Sequence, residues 1–350
     1  MANLLVTGGA GFIGGNFVHY WNARHPDDNV IVLDALTYAG NRSTLEGATN
    51  TELVVGDIRD EELVEQLLRE RGIATIVHFA AESHVDRSIS GPDAFINTNI
   101  LGTNSLLKAA RAVWLEGDGI DHRFHHISTD EVYGSLGADD PAFSETTAYA
   151  PNSPYSASKA SSDHLVRAYH HTFGLEVTTT NCSNNYGPYQ YPEKLIPLFF
   201  LNALEGRKLP IYGDGMNVRD WLHVEDHCRG IEACLTKGQP GETYNIGGGA
   251  ELPNMEVIDT ICREVDRAFV EIDGLAERYP DAPAAQGKES GGLKKFVTDR
   301  AGHDRRYAID ERKAREVLDY VPQCSFEEGL HQTLRWYLEH EGWWRPLLKG

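Results

Sequence analysis

A tyrosine and a lysine in one short segment could carry acid–base chemistry. Tyr155 and Lys159 are four residues apart, which places both side chains on one face of a helix. Asn152 or Ser153 can cap this helix, and Pro154 fits its first turn. The charge of the lysine would favour the phenolate and lower the pKa of the tyrosine toward neutrality. Tyr155 is therefore a candidate base for a sugar or alcohol hydroxyl, although such a pair also occurs by chance on helix surfaces.

Residues 128–134, STDEVYG, place a hydroxyl beside two adjacent carboxyl groups. Thr129 can hydrogen-bond a substrate hydroxyl next to Tyr155. Asp130 and Glu131 project differently, so one could stay protonated as an acid while the other acts as a base, provided that burial separates their pKa values. An acidic turn on the surface is the alternative, and hydrophobic periodicity does not distinguish the two.

Three glycines follow the first predicted strand and open the first predicted helix. Their G-x-x-G-x-x-G spacing is a variant of the fingerprint that binds dinucleotides. Gly8 lets the chain turn, Gly11 lets a pyrophosphate approach the backbone, and Gly14 lets the helix and the sheet come close. The predicted cofactor contacts in this turn are Gly8, Gly11, Phe12, Ile13 and Gly14.

Asp34 ends the second predicted strand and favours NAD over NADP as the cofactor. Its carboxylate would accept hydrogen bonds from ribose hydroxyls and repel a 2′-phosphate, and residues 35–37 supply no cation. An oxidised nicotinamide would add its charge to that of Lys159 in lowering the pKa of Tyr155. After the third predicted strand, Asp57 could instead be only a capping acid. After the fourth, Ala80 and Ala81 could be small only because packing requires it. The further predicted cofactor contacts are Thr37, Asp57, Ile58, Phe79, Ala80 and Ala81.

A sheet must bring these groups together. Short β-branched or apolar runs alternate with helix-length segments in the first half of the chain, which is typical of repeated βαβ units. We therefore predict an α/β fold with a Rossmann-type, doubly wound, mostly parallel sheet that carries helices on both faces. The predicted strands are residues 3–7, 30–34, 53–55, 75–80, 124–128 and 177–181, and the predicted helices are residues 12–24, 60–71, 92–114 and 154–173.

After Asn181 this alternation fails, which predicts a smaller mixed α/β substrate domain in the C-terminal part. Residues 221–246 look α/β again, so the chain should return briefly to the first domain. Residues 279–292, with two prolines and three glycines, predict a loop or an insertion. The predicted NAD-binding domain is 1–181 with about 220–248, and the predicted nucleotide-sugar-binding domain is about 182–219 with 249–350.

The composition excludes several classes of protein. With 350 residues, of which 41% are hydrophobic and 24% charged, the chain is a globular protein of two domains or one large one. The chain has no apolar run near the ~20 residues that span a bilayer and no basic leader, so a cytoplasmic location is expected. The 52 acidic against 32 basic residues give a formal charge of -20, which disfavours nucleic acid and membranes as partners.

Cysteine and histidine spacing predicts neither disulfides nor a metal site. The five cysteines are odd in number and form no C-x-x-C pair, so buried thiols are expected. His223, Asp226, His227 and Cys228 are close in sequence but have neither the H-E-x-x-H nor a zinc-finger spacing. We therefore predict no bound metal.

The chain resembles the extended short-chain dehydrogenases/reductases and, within that group, the dTDP-glucose 4,6-dehydratase family. The resemblance covers nearly the whole chain. Its most discriminating part is the acid pair after Thr129, which related epimerases lack because they perform no elimination. The matching stretches are TGGAGFIGGNFV, LDALTYAGN, GDIRD, HFAAESHVDRSI, STDEVYG, SPYSASKA, NCSNNYGPYQYPEKLIP, PIYGDGMNVRDWLHVEDHC and DRAGHDRRYAID.

The resemblance implies a closed redox cycle on one bound NAD, with dTDP-glucose as the substrate. Tyr155 takes the proton of the sugar C4 hydroxyl as hydride passes to NAD, assisted by Thr129 and Lys159. Glu131 then removes the C5 proton while Asp130 protonates the departing C6 hydroxyl, and hydride returns to C6. The product is dTDP-4-keto-6-deoxyglucose. A dehydratase for another nucleotide-sugar and a catalytically silent NAD-binding scaffold are the alternatives, the latter disfavoured by the presence of these residues.

The resemblance also implies further contacts and a homodimer, while the chain departs from the family pattern at Gly15, at Ala301 and in the loosely matched segment 279–292. Thr98 and Asn185 match residues on the cofactor side, and the helices near 92–114 and 154–173 resemble the pair through which relatives dimerise. Gly15 stands where serine is more frequent, and Ala301 stands where proline is usual. The implied nucleotide-sugar contacts are Ser83, Thr129, Asn184, Lys194, Leu195, Tyr212, Arg219, Asn254 and His303, of which the lysine and the arginine are the cations that a pyrophosphate needs.

Overall fold

The structure, a computed structural model, describes residues 2–117, 119–299 and 302–349, so Ala301 lies outside the described residues. The strands are β1 (Asn3–Thr7), β2 (Asn29–Asp34), β3 (Thr51–Val55), β4 (Thr75–His78), β5 (Arg123–Thr129), β6 (Val177–Cys182), β7 (Asn184–Tyr186), β8 (Leu209–Tyr212), β9 (Val218–His223), β10 (Thr243–Ile246), β11 (Glu251–Pro253) and β12 (Lys294–Val297).

The helices alternate with these strands in the first half of the chain and dominate its end. The α-helices are α1 (Phe12–Arg24), α2 (Glu61–Glu70), α3 (Val85–Ser90), α4 (Pro92–Phe95), α5 (Thr103–Trp114), α6 (Pro154–Phe173), α7 (Leu195–Leu204), α8 (Val224–Lys237), α9 (Asn254–Glu271), α10 (Leu275–Arg278), α11 (Arg312–Leu318), α12 (Phe326–Glu339) and α13 (Glu341–Trp344). A π-helix spans Ile96–Gly102, and 3₁₀-helices span Arg42–Leu45, Asp130–Tyr133, Ala284–Gln286, Ser290–Leu293 and Pro346–Lys349. Among the described residues, no helix is long and apolar enough to cross a lipid bilayer.

Seven parallel strands form the large sheet, in the order β10-β6-β5-β4-β1-β2-β3. Successive side chains of a strand point to opposite faces. Leu5 and Ile31 pack in the core beneath α2, α5 and α6, whereas Leu4 and Val6 pack in the core beneath α1 and α8. Helices therefore cover both faces of the sheet, which confirms the predicted doubly wound α/β fold.

The predicted helix 92–114 is wrong in its middle. There the chain forms α4, the π-helix and α5 in succession. Asn99 in the π-helix accepts a hydrogen bond from the Glu82 backbone N–H at 2.9 Å, and its amide donates to the Glu82 carbonyl at 3.0 Å and to Ser158 Oγ at 2.8 Å. These contacts with distant residues hold the wider turn, and apolar periodicity does not reveal them.

Two small sheets and a helical core complete the fold. β11, β9 and β7 form a three-stranded sheet, and β12 pairs with β8. Helices α7, α9 and α12 pack around a core that includes Phe200, Ile261 and Leu334. In the segment 279–292, buried Tyr279 packs in this core, and Ser290 donates hydrogen bonds to Asp266 on α9.

Three histidines lie buried inside the large sheet. His78 is on β4, and His125 and His126 are on β5. Burial lowers the pKa of each imidazole well below its ordinary value, because desolvation disfavours the charged ring. All three are therefore neutral in the folded protein at neutral pH.

These histidines should make the protein sensitive to acid. The unfolded chain takes up protons at them below pH about 6.5, whereas the folded chain does not. We expect the free energy of unfolding to be fully retained above that pH and to fall below it, by up to about 1.4 kcal/mol per pH unit for each histidine. Urea unfolding at several pH values measures this slope, and His125→Asn should make it shallower. Equal stability from pH about 8 to about 5 would contradict the interpretation.

Candidate active site

A cavity of about 400 Å³ lies where the strands of the large sheet end, at the edge where such sheets bind ligands. Its walls come from the glycine turn, from the loops after β2 to β6 and from α6. All sixteen residues that the sequence predicted for the cofactor line it. They are Gly8, Gly11, Phe12, Ile13, Gly14, Asp34, Thr37, Asp57, Ile58, Phe79, Ala80, Ala81, Thr98, Tyr155, Lys159 and Asn185.

The glycine turn has the shape that a dinucleotide pyrophosphate requires. Gly8 has φ +71°, and a Cβ there would lie 2.6 Å from the Ala80 nitrogen. A Cβ on Gly14 would collide with the Gly8 carbonyl oxygen. Helix α1 begins at Phe12, with no acidic residue in its first turn and no side chain capping it. Its positive N-terminus therefore remains available to an anion in the cavity.

A packing contact with Thr44, and not a contact with the cavity, accounts for the glycine at position 15. A Cβ at this position would meet the Thr44 side chain, which is buried against α1. The departure from serine thus accompanies a local packing contact.

Asp34 presents a buried carboxylate to the cavity. Its Oδ2 accepts a hydrogen bond from the Ala10 backbone N–H at 2.9 Å, and its Oδ1 accepts one from the Leu36 N–H at 2.8 Å. Burial raises the pKa of Asp34, and these two donors oppose the rise. Each oxygen keeps a further lone pair for a ribose hydroxyl. The turn and this carboxylate together fit NAD.

Asp57 also lies at the cavity wall but is already engaged. Its carboxylate accepts hydrogen bonds from the Arg59 guanidinium, the shortest at 2.6 Å, and this pair lowers the pKa of Asp57. The neighbouring Ile58 is buried and lines the cavity through its apolar side chain.

Tyr155 and Lys159 share one face at the start of α6. Of the two predicted caps, Ser153 is the N-cap, and it forms a reciprocal capping box with Ser156. The Lys159 ammonium donates a hydrogen bond to the Ile127 carbonyl at 2.8 Å and lies 3.4 Å from His126 Nε2. The lysine is therefore held against β5, one helical turn away from the phenol.

The sequence predicted that Lys159 and an oxidised nicotinamide together lower the pKa of Tyr155. The pKa of Tyr155 is raised well above its usual value, first by burial and then by the nearby Glu131 and Cys182. Burial also lowers the pKa of Lys159, although Asp163 opposes this. In the protein alone burial therefore dominates the pKa of Tyr155, while the Lys159 ammonium is hydrogen-bonded to a backbone carbonyl.

The acid pair begins the 3₁₀-helix Asp130–Tyr133, directly after β5. Asp130 is 1% exposed, whereas Glu131 is only partly buried. Burial raises the pKa of Asp130 well above that of a free carboxyl, and the negative charges of Glu131 and Asp220 raise it further. Asp130 is therefore a buried acid rather than part of a surface turn, which decides between the two interpretations of the sequence.

Thr129 connects the phenol and the acid pair. Its hydroxyl lowers the pKa of the Tyr155 phenol, in opposition to the effect of burial. It also donates to Asp130 Oδ1 at 3.4 Å and accepts from the Glu131 backbone N–H at 3.3 Å. A hydroxyl, a phenol and two carboxyl groups thus meet at one edge of the cavity.

Four of the nine residues expected to bind the nucleotide-sugar line this cavity, and five do not. Ser83, Thr129, Asn184 and Lys194 line it. Arg219 is buried beside the acid pair, where it lowers the pKa of Asp130. The others lie on neighbouring elements: Leu195 begins α7, Tyr212 ends β8, Asn254 begins α9, and His303 lies 6.4 Å from the Tyr212 ring, centre to centre.

Several cavity residues were not predicted from the sequence. Tyr38, Tyr191 and Glu193 form one wall, where the Tyr38 and Tyr191 rings lie 5.6 Å apart. Arg87 stacks over Tyr38 at 3.8 Å and pairs with Glu193 at 3.0 Å. Cys182 also lines the cavity. All five fall within stretches that resemble the family, but their types alone indicate no ligand.

The sequence cluster His223, Asp226, His227 and Cys228 does not converge on a point. Asp226 pairs with Arg229 and accepts hydrogen bonds from the backbone of residues 323 and 324, while His227 Nδ1 lies 2.9 Å from Asn185 Oδ1. In the part of the chain that the structure describes, no group of three or more potential ligands is placed to hold a metal ion.

The chain is similar to known proteins over nearly its full length. The family model described as GDP-mannose 4,6 dehydratase matches residues 5–333. A dTDP-glucose 4,6-dehydratase from Xanthomonas campestris pv. campestris is 54% identical over 356 residues, covering 100% of this chain and 97% of that protein. One from Neisseria meningitidis serogroup B is 51% identical with the same coverage. The crystal structure of DesIV, a dTDP-glucose 4,6-dehydratase from Streptomyces venezuelae with NAD and dTDP bound, matches with a TM-score of 0.86 at 49% identity over 99% of both chains.

Asp34→Asn tests the cofactor end of the cavity, since it keeps the side-chain shape but removes the charge. We expect NAD affinity to fall about 10- to 100-fold, because a hydrogen bond to a charged group contributes about 1.5–3 kcal/mol. NADP binding should weaken less, since the repulsion of a 2′-phosphate is also removed. Titration calorimetry on cofactor-free protein measures both constants. Asp57→Asn is the matched control, because its carboxylate is already paired, and an unchanged preference in Asp34→Asn would contradict this assignment.

Proposed function

This chain belongs to the dTDP-glucose 4,6-dehydratase family, and from that premise we propose that it is an NAD-dependent hydro-lyase that converts dTDP-glucose to dTDP-4-keto-6-deoxyglucose and water. The observation that carries the proposal is the buried Asp130 beside Glu131, next to Tyr155 and a cavity that fits a dinucleotide. A simple dehydrogenase or epimerase needs only the tyrosine. An adjacent acid and base are what the elimination of water requires.

The cofactor is held by the glycine turn, by Asp34 and by the small residues that end β4. When bound, NAD accepts hydride from the sugar C4, returns it to C6, and carries a positive ring charge that favours ionisation of Tyr155. The remaining chemistry belongs to the side chains of this chain.

Tyr155 acts first, as the base for the C4 hydroxyl. Its phenol is buried at the cavity wall, so a sugar held there meets it without intervening water. Thr129 lines the cavity with the phenol, lowers its pKa and stabilises the alkoxide that develops at C4. Lys159 supplies positive charge one helical turn away and is fixed by the Ile127 carbonyl. Loss of the hydroxyl proton and of hydride leaves a ketone at C4.

Glu131 and Asp130 then divide the elimination between them. The C4 ketone acidifies the C5 proton, which the partly exposed Glu131 removes. The protonated Asp130 gives its proton to the C6 hydroxyl, which departs as water. Because Asp130 and Glu131 are neighbours in the same 3₁₀-helix, the base and the acid can act in one step. Glu131 then returns its proton to C5 when C6 is reduced.

The nucleotide part of the substrate binds toward the small sheets. Arg219 is buried, and its guanidinium donates a hydrogen bond to the Asp304 carbonyl at 2.9 Å and stacks over the Tyr307 ring at 4.2 Å. These contacts hold the guanidinium in position to bind a pyrophosphate. Lys194 supplies a second cation at the cavity. The other proposed contacts are Ser83, Asn184, Leu195, Tyr212, Asn254 and His303.

The proposed division into domains follows the sheets. The proposed NAD-binding domain comprises residues 1–181 and the segment of about 220–248, in which the chain returns to the large sheet. The remaining residues form the proposed nucleotide-sugar-binding domain. β10 joins the large sheet, which supports the return. α8 packs with α1 against the large sheet and likewise supports the return, whereas β9 belongs to the three-stranded sheet.

We place the protein in the cytoplasm as a homodimer. All five cysteines are free thiols, as expected in a reducing compartment. Ile96 and Leu101 in the π-helix are exposed apolar side chains, and a second copy packed on this helix would remove them from water. No nucleic acid or membrane partner is proposed, in keeping with the charge of -20.

Isotope tracing tests the proposed function. Purified protein without added NAD should convert dTDP-glucose deuterated at C4 to a 4-keto-6-deoxy product that carries the deuterium in its new methyl group, as measured by mass spectrometry and NMR. Tyr155→Phe is the control and should lose at least about 100-fold in rate, the low end for a general base. Deuterium in the solvent, or a cofactor-loaded protein that forms no product, would contradict the proposal. Preferred turnover of UDP- or GDP-glucose would instead indicate a dehydratase for another nucleotide-sugar.

A further inference from the structure

Lys159 carries an ammonium that the fold removes from water. The residue is 4% exposed, and the ammonium donates a hydrogen bond to the Ile127 carbonyl on β5 at 2.8 Å. A buried ammonium is costly unless an opposite charge compensates it. The proposed oxidation nevertheless needs this charge near Tyr155, so the fold must place an anion close to Lys159.

Asp163 is a buried carboxyl group one helical turn after Lys159 in α6. Three groups surround its two oxygens. His126 Nε2 lies 3.0 Å from Oδ1, and the hydroxyls of Ser128 and Tyr149 donate to Oδ2 at 2.8 and 3.0 Å. Three donors favour the ionised carboxylate, because a protonated acid would itself have to donate one of these bonds.

His126 connects this carboxylate with the ammonium. Its Nε2 lies 3.0 Å from Asp163 Oδ1 and 3.4 Å from Lys159 Nζ. Among the described residues its buried Nδ1 has no hydrogen-bond partner, so the ring proton is on Nε2 and is donated to Asp163. Burial lowers the pKa of this ring well below its ordinary value, so the ring is neutral. The two opposite charges thus contact the same atom of an uncharged ring, where the low dielectric keeps their attraction strong.

The other titratable groups that the structure places around Lys159 are uncharged in the protein alone. Burial raises the pKa of the Cys182 thiol on β6 to about 12, and it raises the pKa of Tyr155 well above its usual value. His78 on β4, whose ring lies 5.3 Å from the His126 ring, is kept neutral by burial. The compensating charge must therefore come from elsewhere.

Asp163 is the carboxylate whose charge raises the pKa of Lys159. Burial raises the pKa of Asp163 to about 6, although Lys159 and His164 oppose the rise, so the group is mainly ionised at neutral pH. Glu131, the partly exposed carboxyl of the acid pair, instead raises the pKa of Tyr155. Position and charge both connect the ammonium with Asp163.

We propose that Asp163 is a positioning residue for the oxidation at C4: its carboxylate, acting through the neutral His126, keeps the Lys159 ammonium charged and in place beside β5. Without this anion the buried amine would give up its proton, and Tyr155 would lose the positive charge that favours its ionisation. The positive ring of bound NAD increases the need for the anion, because it also disfavours a charged lysine. The proposal rests on the proposed function, since it assigns Asp163 to the first step of that reaction.

The pH dependence of the oxidation tests this role. dTDP-6-deoxyglucose has a C4 hydroxyl to oxidise but no C6 hydroxyl to expel, so the NADH that forms stays on the protein and can be followed by stopped-flow absorbance of the holoenzyme. Asp163→Asn keeps the size of the side chain and removes its charge, so the Lys159 amine should lose its proton at a lower pH. We expect the pH above which the oxidation rate falls to decrease by about 1 to 3 pH units, the usual effect of one neighbouring charge.

Tyr149→Phe is the matched control, because it removes one hydrogen bond to Asp163 and leaves the carboxylate, which is ionised at alkaline pH. The pH at which its rate falls should coincide with that of the unmodified protein. An Asp163→Asn rate that is reduced by the same factor at every pH would overturn the proposal, since a merely structural role predicts that result. An unmodified holoenzyme that neither reduces NAD with this sugar nor converts dTDP-glucose would refute the proposed function itself.

Urea unfolding in saturating NAD gives a second readout that does not depend on turnover. At pH about 8 an Asp163 with a pKa of about 6 is ionised, so Lys159→Met leaves it as an unpaired buried charge. The double variant Lys159→Met/Asp163→Asn should therefore unfold at a higher urea concentration than Lys159→Met, whereas Asp163→Asn alone should lower the midpoint of the unmodified protein. If Asp163→Asn lowers the midpoint equally in both backgrounds, the pairing of the two residues is wrong.

Discussion

Burial of one carboxyl group directly beside another is the constraint on which the site depends. In water both Asp130 and Glu131 would be ionised at neutral pH, and neither could protonate a departing hydroxyl. The end of β5 brings Asp130 into the interior, and β9 closes over it with Asp220 and Arg219. Asp220 on the three-stranded sheet adds to the effect of burial and of Glu131 in raising the pKa of Asp130, so the smaller sheet contributes to the acid.

The same packing fixes the groups that act with the acid. Ser153 caps α6 and so fixes where the helix that carries Tyr155 begins. Ser158 in the same helix accepts a hydrogen bond from Asn99 of the π-helix. Asn99 in turn holds the backbone of Glu82 at the cavity wall. Residues on strands, helices and a π-helix are thus joined by buried hydrogen bonds, which gives the precision that proton transfer at a sugar ring requires.

The sequence could predict those features whose signals are local. Helix α6 begins at Pro154, directly after its cap Ser153, and is ended by Gly174, which has φ +78°. Helix α1 begins at the glycine turn, so the start of each helix could be predicted from the sequence. The π-helix could not, because distant hydrogen bonds widen that turn. The partner of Lys159, the pKa of Tyr155 and the wall formed by Tyr38, Tyr191 and Glu193 likewise depend on segments that only the fold brings together.

The most direct measurement is the protonation state of Asp130 in the resting holoenzyme. Infrared spectra of the unmodified protein and of Asp130→Asn, with aspartate side chains labelled with carbon-13, isolate the signal of this one group. At neutral pH we expect a protonated carboxyl band that the substitution removes and that persists to a pH well above the usual range of an aspartate. An Asp130 that shows only ionised carboxylate bands at neutral pH would contradict the assignment of the acid and, with it, the proposed elimination.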